Sequence, residues 1–468
     1  MTMDEVRAPH EWRPTIPKGA SPLYLAIAEA LASDIRAGVL VAGDRLPPQR
    51  SLAEVLEIDF TTVTRAYAEA RRRGLVEGRV GQGTYVRAGR VSREAPRISS
   101  GLVDMAMNLP PKFDDASLSG RLWAGICELE MDGGMDLILR YQEAGGAASD
   151  RRAGAAWLAD RLPDIQEERL LISPGAQGAL LALITLLRKD GAPIAVEALT
   201  YPGFRSLAEH LAVPLAHVAI DAEGLDPEAF ESVCRAQKPG LLYCTPTLHN
   251  PTTATMSLER REAVIAVARK YGVLIIEDDA YGKLSGSALP PLAALAPDIV
   301  YHVAGLSKCL SPALRVAYVA VPDSRAAARL AGAIRGTTSM ASPLGAAIAT
   351  SWISTGSAEE ALAAIREESE ARRKMAVELL AEHGLVTARN AFHAWLPLAN
   401  GWTRGDFAAR LRSAGVGVVP SDAFAPSQPL EAVRLGLGAA PDRDRLLGSL
   451  ETIADLAGQS PAMSSMVV

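Results

Sequence analysis

The chain has 468 residues, 49% hydrophobic and 22% charged, which suits a small domain plus one large α/β domain and excludes a disordered or fibrous polymer. Its four cysteines (Cys127, Cys234, Cys244, Cys309) lack C-x-x-C pairing, which argues against zinc and against a disulfide framework and fits a reducing cytoplasm. The net charge of −6 hides an asymmetry: residues 1–90 carry +2 and the remainder −8, and residues 45–90 hold nine Arg against five acidic residues, a balance suited to neutralising phosphates.

Met1 to Pro22 mixes acids, Arg and Pro without an apolar core, so no export signal is expected, and no apolar run reaches the ~18 residues of a membrane span. Leu23, Ile27, Leu31 and Ile35 then form one stripe of an amphipathic helix ending at Gly38. A short helix is expected over Gln49–Leu56, a polar connection over Glu57–Phe60, and a further helix from Thr61 to Arg71 with Val63, Ala66, Tyr67 and Ala70 inward. Thr61, Thr62 and Arg65 then face out near its start, where the second helix of a helix-turn-helix meets base edges. From Gly74 to Val86 two short strands flank a Gly-rich turn, the pattern of a wing.

Residues 22–87 resemble the GntR family of bacterial regulators. The resemblance is carried, in order, by Leu46-Pro47-Pro48-Gln49-Arg50, Thr62-Val63, Ala66-Tyr67, Gly74-Leu75-Val76 and Gly81-Gln82-Gly83-Thr84. It implies Arg45, Arg50, Thr61, Thr62 and Arg65 as contacts to double-stranded operator DNA, with Arg79 and the Gly81–Gly83 turn reaching phosphate or the minor groove. Arg45 and Arg50 also fit a merely local capping or pairing role.

The expected organisation is a winged helix-turn-helix at 15–87, a linker at 88–101, an effector domain at 102–455 and a tail at 456–468. Beyond the linker, apolar strands at Leu170–Ile172, Pro193–Val196, Gly240–Cys244, Val273–Ile276, Ile299–Val303 and Val316–Val321 alternate with helical runs, which implies a mostly parallel sheet covered on both faces. Ligands of such sheets sit beyond the carboxyl ends of the strands. There Ser173-Pro174-Gly175-Ala176-Gln177 opens a helix with free N–H groups for an anion, Tyr201 supplies a ring, Asn250 an amide, and Asp278-Asp279-Ala280-Tyr281 precedes Gly305-Leu306-Ser307-Lys308 with Arg315 seven residues on.

That order of parts resembles the fold-type I aminotransferases over about residues 102–455, including a C-terminal small α/β subdomain. Both halves together resemble the MocR/GabR-type subgroup of GntR regulators. The resemblance implies pyridoxal 5'-phosphate as cofactor. Lys308 is then the lysine of the aldimine, Asp278 the partner of the pyridine nitrogen, Asn250 and Tyr281 donors to the 3'-oxygen, and Tyr201 the stacking ring. Gly175, Ala176, Gln177, Ser307 and Arg315 hold the phosphate, Tyr141 reaches it from a neighbouring subunit, and Arg434 grips an α-carboxylate, unless it is an ordinary strand-end ion pair. Arg205 fits equally a substrate contact or packing; His249 and Cys309 read as structural. Three departures from the family stand out: Gly305 where a hydroxyl is usual, His249 where Gln is usual, and Thr253 where Gly is usual.

The leading expectation is a dimeric cytoplasmic regulator, domain-swapped as the family resemblance implies, that senses the cofactor or an amine or amino-acid effector. The alternatives are a working aminotransferase with an appended DNA-binding head and a binding module whose lysine no longer meets the cofactor.

Overall fold

Two stretches of different hydrophobic periodicity form two compact units, residues 1–100 and 101–468, in the computed structural model. The structure describes residues 12–14, 22–36, 39–40, 43–72, 75–79, 83–86, 101–129, 139–425 and 429–461. The expected linker up to residue 100, Gly81 of the wing turn, and the final residues of the tail lie outside them, as does the side chain of Arg79.

In the first unit the helices are Leu23–Arg36, Gln49–Leu56 and Phe60–Arg72. Ile27 and Leu31 of the first pack with Leu52, Val63, Ala66, Tyr67 and Ala70 in one core, as their spacing dictates. The second helix stops at Glu57, whose φ of 54° is left-handed and turns the chain toward the third helix. Asp59 accepts the Thr61 N–H at 2.7 Å, capping a helix that begins at Phe60, so Phe60 belongs to the first turn of that helix and not to the connection. The Tyr67 hydroxyl donates to the Pro47 carbonyl at 2.8 Å and fixes the two helices of the motif against each other. Val76–Arg79 and Gly83–Val86 pair antiparallel, with Arg79 opposite Gly83, as expected of a wing.

The second unit is built on a seven-stranded sheet in the order Leu170–Ser173, Ala317–Ala320, Val300–Gly305, Leu274–Asp278, Leu241–Cys244, Ile194–Glu197, Leu215–Val218. Ala317–Ala320 runs antiparallel to both neighbours and the others share one direction. Alternate residues feed separate cores: Ile172, Ala195, Leu242 and Ile275 on one face, Leu171, Val196, Tyr243 and Ile276 on the other. Burial on both faces is what makes these strands read as unbroken apolar runs. The edge strand Leu215–Val218 escaped the sequence reading because it follows Pro214 and alternates half-buried with buried positions, whereas the other four-residue strands of this sheet are buried throughout.

A second, three-stranded antiparallel sheet joins His393–Pro397, Ala432–Gly436 and Val419–Pro420, packed by Ser357–Leu380 and Arg443–Ala457 around Phe407, Leu411, Leu435 and Leu450. Val103–Asp104 pairs with Val416–Gly417, so the chain entering the large unit first docks on this C-terminal subdomain and then passes over the mouth of the main sheet.

Candidate functional site

The parallel strands end together at Ser173, Glu197, Cys244 and Asp278, and a cavity of about 660 Å³ opens beyond them, reaching the C-terminal subdomain. Its floor holds Lys308, Asp278 and Tyr281; Tyr201 and Asn250 line it, and Arg434 closes it from the strand Ala432–Gly436. Ala176, Gln177, Ser307 and Arg315 line the end nearest the helix Gly175–Leu187. No side chain caps that helix, so its first-turn N–H groups are left to a ligand or to water. Gly175 stands just behind: its φ is +71°, and a Cβ there would lie 3.2 Å from the Arg315 guanidinium, so glycine is what lets the arginine approach.

Adjacent carboxylates at the strand end point in opposite directions, as the pleat requires. Asp279 turns inward to a buried bidentate pair with Arg161 (2.9 and 3.0 Å) and to His302 Nε2 at 3.0 Å. Burial alone would raise its pKa, but the Arg161 guanidinium and His302 outweigh that and hold the carboxyl below the usual range. Asp278 faces the cavity. Its Oδ2 accepts from the Tyr243 hydroxyl at 2.8 Å, while Oδ1 is buried without a partner. Burial pushes this carboxyl up to about 6 against the hydrogen bonds from Tyr243 and the Ala280 N–H.

Burial, reinforced by Arg434 and opposed by Asp278, draws the Lys308 amine down to about 8. Its Nζ donates to the main-chain carbonyl of Asn108. Arg434 donates to Asn250 Oδ1 at 3.2 Å and to the Ala106 carbonyl at 2.5 Å, and its Nε is buried without a partner. Tyr281 is buried, which raises its phenol above the ordinary value and keeps it neutral. The Gln177 side chain reaches the Gly203 carbonyl at 2.8 Å and so ties the helix to the loop carrying Tyr201.

An orphaned buried carboxylate oxygen, a desolvated lysine, an uncapped helix start beside an arginine, and a half-buried ring in one cavity fit an aromatic aldehyde that carries a basic ring nitrogen and a phosphate. Tyr141 is 89% exposed and lies away from the cavity of its own chain. Arg205 donates to the Asp422 and Ala423 carbonyls at 3.1 and 2.6 Å and so supports that turn. His249 is buried between Thr252 and the Leu199 carbonyl, and burial pushes the Cys309 thiol up to about 12. Thr253 keeps a left-handed φ of 61°, so the turn is retained although the residue is β-branched. At Gly305 a Cβ would meet only Ala176 Cβ, at 3.5 Å, so space does not forbid the missing hydroxyl.

Two residues at the site escaped the sequence reading, Asn108 on the cavity wall and Tyr243 in the core behind Asp278. Asn108, in a stretch without periodicity, donates to the Tyr281 hydroxyl at 2.7 Å across 173 residues of sequence. Tyr243, which reads as a strand residue, has its ring stacked on Phe204 at 3.7 Å and its hydroxyl on Asp278. No local signal announces either one.

In the first unit, Thr61 and Arg65 are exposed and Thr62 is half-buried on the helix Phe60–Arg72. The Arg65 guanidinium lies over the Tyr24 ring at 4.2 Å, and Arg50 lies 5.9 Å from the ring of Phe60, which is 44% exposed. Arg45 bridges to Tyr85, and a Cβ on Gly83 would sit 3.0 Å from its guanidinium, so Arg45 is set against the second wing strand.

Comparison with known proteins agrees with both units. A family profile described as Aminotransferase class I and II matches residues 126–452, and one described as Bacterial regulatory proteins, gntR family matches residues 23–86. The chain is 31% identical over 436 residues to the uncharacterized HTH-type transcriptional regulator YdeF of Bacillus subtilis, covering 92% of this chain and 93% of that protein. It is 26% identical to the vitamin B6 salvage pathway transcriptional repressor PtsJ of Salmonella typhimurium, over 89% of this chain and 95% of that one. Among solved structures, LysN, an alpha-aminoadipate aminotransferase from Thermus thermophilus, superposes with a TM-score of 0.70 at 23% identity, over 79% of this chain and 94% of that chain, a likeness of fold. No helix among the described residues is long and apolar enough to cross a membrane.

Proposed function

Since the chain belongs to the aminotransferase class I and II family and carries a bacterial gntR-family domain at residues 23–86, we propose that it is a pyridoxal-phosphate-dependent transcription regulator of the cytoplasm. The observation that carries the reading is the pairing, in one chain, of a helix-turn-helix with a cavity in which a desolvated lysine and an unpaired buried carboxylate oxygen meet. The cofactor, when bound, supplies an aldehyde that captures amines and a ring that withdraws electrons from the captured carbon.

Each residue then has a physical task. The Lys308 amine, drawn down to about 8, is partly neutral near physiological pH and so can act as a nucleophile. Asp278 offers its free Oδ1 to a ring N–H, Tyr281 and the Asn250 amide donate to the ring oxygen, and Tyr201 covers the ring face. Arg315, Ser307 and the N–H groups opening the helix at Gly175, Ala176 and Gln177 hold the phosphate dianion. Arg434 takes an effector carboxylate, and Tyr141, exposed on its own chain, serves the site of a second copy. In the head, Arg45, Arg50, Thr61, Thr62 and Arg65 contact operator DNA, and Arg79 and the turn Gly81–Gly83 reach its phosphates or minor groove. Paired half-sites call for a homodimer, in the domain-swapped arrangement the family resemblance implies. An effector acts only through differential affinity for two conformations, a coupling of about 1–3 kcal/mol in typical cases.

The test is direct. The purified chain incubated with pyridoxal phosphate is expected to turn yellow and to bleach with borohydride, and Lys308→Ala to stay colourless. Operator retention in gel shift is expected to change on adding cofactor or a candidate amine. A colourless wild type overturns the cofactor assignment. Sustained amino transfer to a keto acid with unchanged operator binding would instead establish the enzyme alternative.

A further inference from the structure

Asn108 lies on the stretch Ala106–Leu109, which crosses the mouth of the cavity just after the chain has docked on the C-terminal subdomain. It is 8% exposed and hydrogen-bonds to both Tyr281 and Lys308. Its Nδ2 donates to the Tyr281 hydroxyl at 2.7 Å, and its carbonyl accepts from Lys308 Nζ. Two residues earlier the Ala106 carbonyl accepts from Arg434, so the stretch is held at its height over the cavity from both sides.

We propose that Asn108 is a positioning residue for the Tyr281–Lys308 pair: its side-chain N–H occupies a lone pair of the Tyr281 oxygen and thereby turns the phenolic proton toward whatever acceptor the cavity binds. This rests on the cofactor reading above. An N–H can only donate, so the Tyr281 proton cannot point back at Nδ2. A hydroxyl that accepts one hydrogen bond also becomes a stronger donor in the next. The Tyr281 ring is packed against Phe392 at 6.1 Å and His393 at 5.1 Å, and its hydroxyl hydrogen-bonds to neither ring. Asn108 Oδ1 is buried without a partner, whereas an asparagine kept only for packing would have both ends of its amide satisfied.

The charged and titratable groups that face Tyr281 and Lys308 are Asp278, Arg434, Tyr201 and His393. Burial drives His393 down to about 3, so it is neutral throughout the working range, and the other three stay in place in the variants below. The full-length wild type, Asn108→Ala, Asn108→Asp, Tyr281→Phe and the double variant Asn108→Ala/Tyr281→Phe are loaded with pyridoxal phosphate. The pH midpoint of the bound cofactor's visible band is then read for each.

A donor to the ring oxygen favours the deprotonated chromophore, so weakening it moves the midpoint up. Asn108→Ala is expected to raise it by about half a pH unit, from one hydrogen bond of about 0.5–1.5 kcal/mol. Asn108→Asp is expected to raise it further, because a carboxylate accepts the phenolic proton and draws it away. In the Tyr281→Phe background the Asn108→Ala change is expected to do nothing more. An unchanged midpoint in Asn108→Ala while Tyr281→Phe shifts, or equal effects of Asn108→Ala with and without Tyr281, overturns the proposal. Should Asn108→Ala fold poorly, Asn108→Asp, similar in size and opposite in hydrogen-bond sense, decides alone: a midpoint at or below the wild-type value refutes it. A wild type that develops no visible band refutes instead the cofactor reading.

Discussion

Asp278 and Asp279 are neighbours in sequence and opposites in energetics, and replacing each by Asn tests that contrast. The buried Asp278 carboxyl has its pKa pushed from 3.8 to about 6, chiefly by loss of solvent, so its ionised form is disfavoured in the folded chain without ligand. At 1.36 kcal/mol per pKa unit, the folded state bears a penalty of roughly 3 kcal/mol above pH 6, and about half of that at pH 5. The sign follows from proton counts. Between the two pKa values the folded chain binds more protons than the unfolded one, so stability falls as pH rises through this window. Asp278→Asn removes the charge and keeps an acceptor for Tyr243. It leaves the amide without a full set of partners, which reduces the net stabilisation to about 2 kcal/mol at pH 7.5.

Asp279→Asn does the reverse, because it strands Arg161, buried with a side chain 4% exposed, without its counter-charge. A loss of about 3–5 kcal/mol is expected. That stabilisation is present above the ordinary carboxyl pKa and disappears as pH falls through the lower folded value. Denaturant melts of cofactor-free protein between pH 5 and 8 read the pH slope from Asp278 and the pH-independent loss in Asp279→Asn. Adding pyridoxal phosphate should then stabilise wild type far more than Asp278→Asn, through loss of the partner for the ring nitrogen. If Asp278→Asn melts earlier than wild type at pH 7.5 without cofactor, the desolvation argument is wrong.

Three further outcomes follow from the same geometry. Arg434→Met removes a cation that helps depress Lys308, so the pH at which half of the cofactor-free protein captures pyridoxal phosphate should move up from about 8, as read by stopped-flow absorbance. Gly203→Ala places a methyl 2.5 Å from the Tyr201 ring; the displaced ring should weaken cofactor affinity about tenfold and cost about 1–3 kcal/mol of stability, read by titration and thermal melt. Arg65→Ala should lower operator affinity by about 1–3 kcal/mol in fluorescence anisotropy while leaving the cofactor band unchanged; an altered band with unaltered DNA binding would refute the division of labour between the two units.

Much of the fold is legible in sequence because burial is periodic. The helix Leu23–Arg36, the helix pair at 49–72 and six of the seven strands of the main sheet follow from apolar spacing, and the missed edge strand is the one whose half-buried positions break up the apolar run that the inner strands show. The candidate site residues that stand next to strand ends, Tyr201, Asn250, Asp278, Tyr281 and Lys308, are equally visible, since the parallel sheet fixes where strand ends lie.

What the sequence determines by itself, then, is local: helices and strands by their periods, the turn signals of the wing, and the types of side chain carried past each strand. Only the tertiary structure decides what depends on direction and solvent. It sends Asp278 to the cavity and Asp279 to Arg161. It dries Lys308 enough to bring its amine down to about 8, and it lays Asn108 across Tyr281 from 173 residues away. The reason is physical. A side chain's identity is written at its own position, whereas its pKa and its partner belong to whatever the folded chain packs around it.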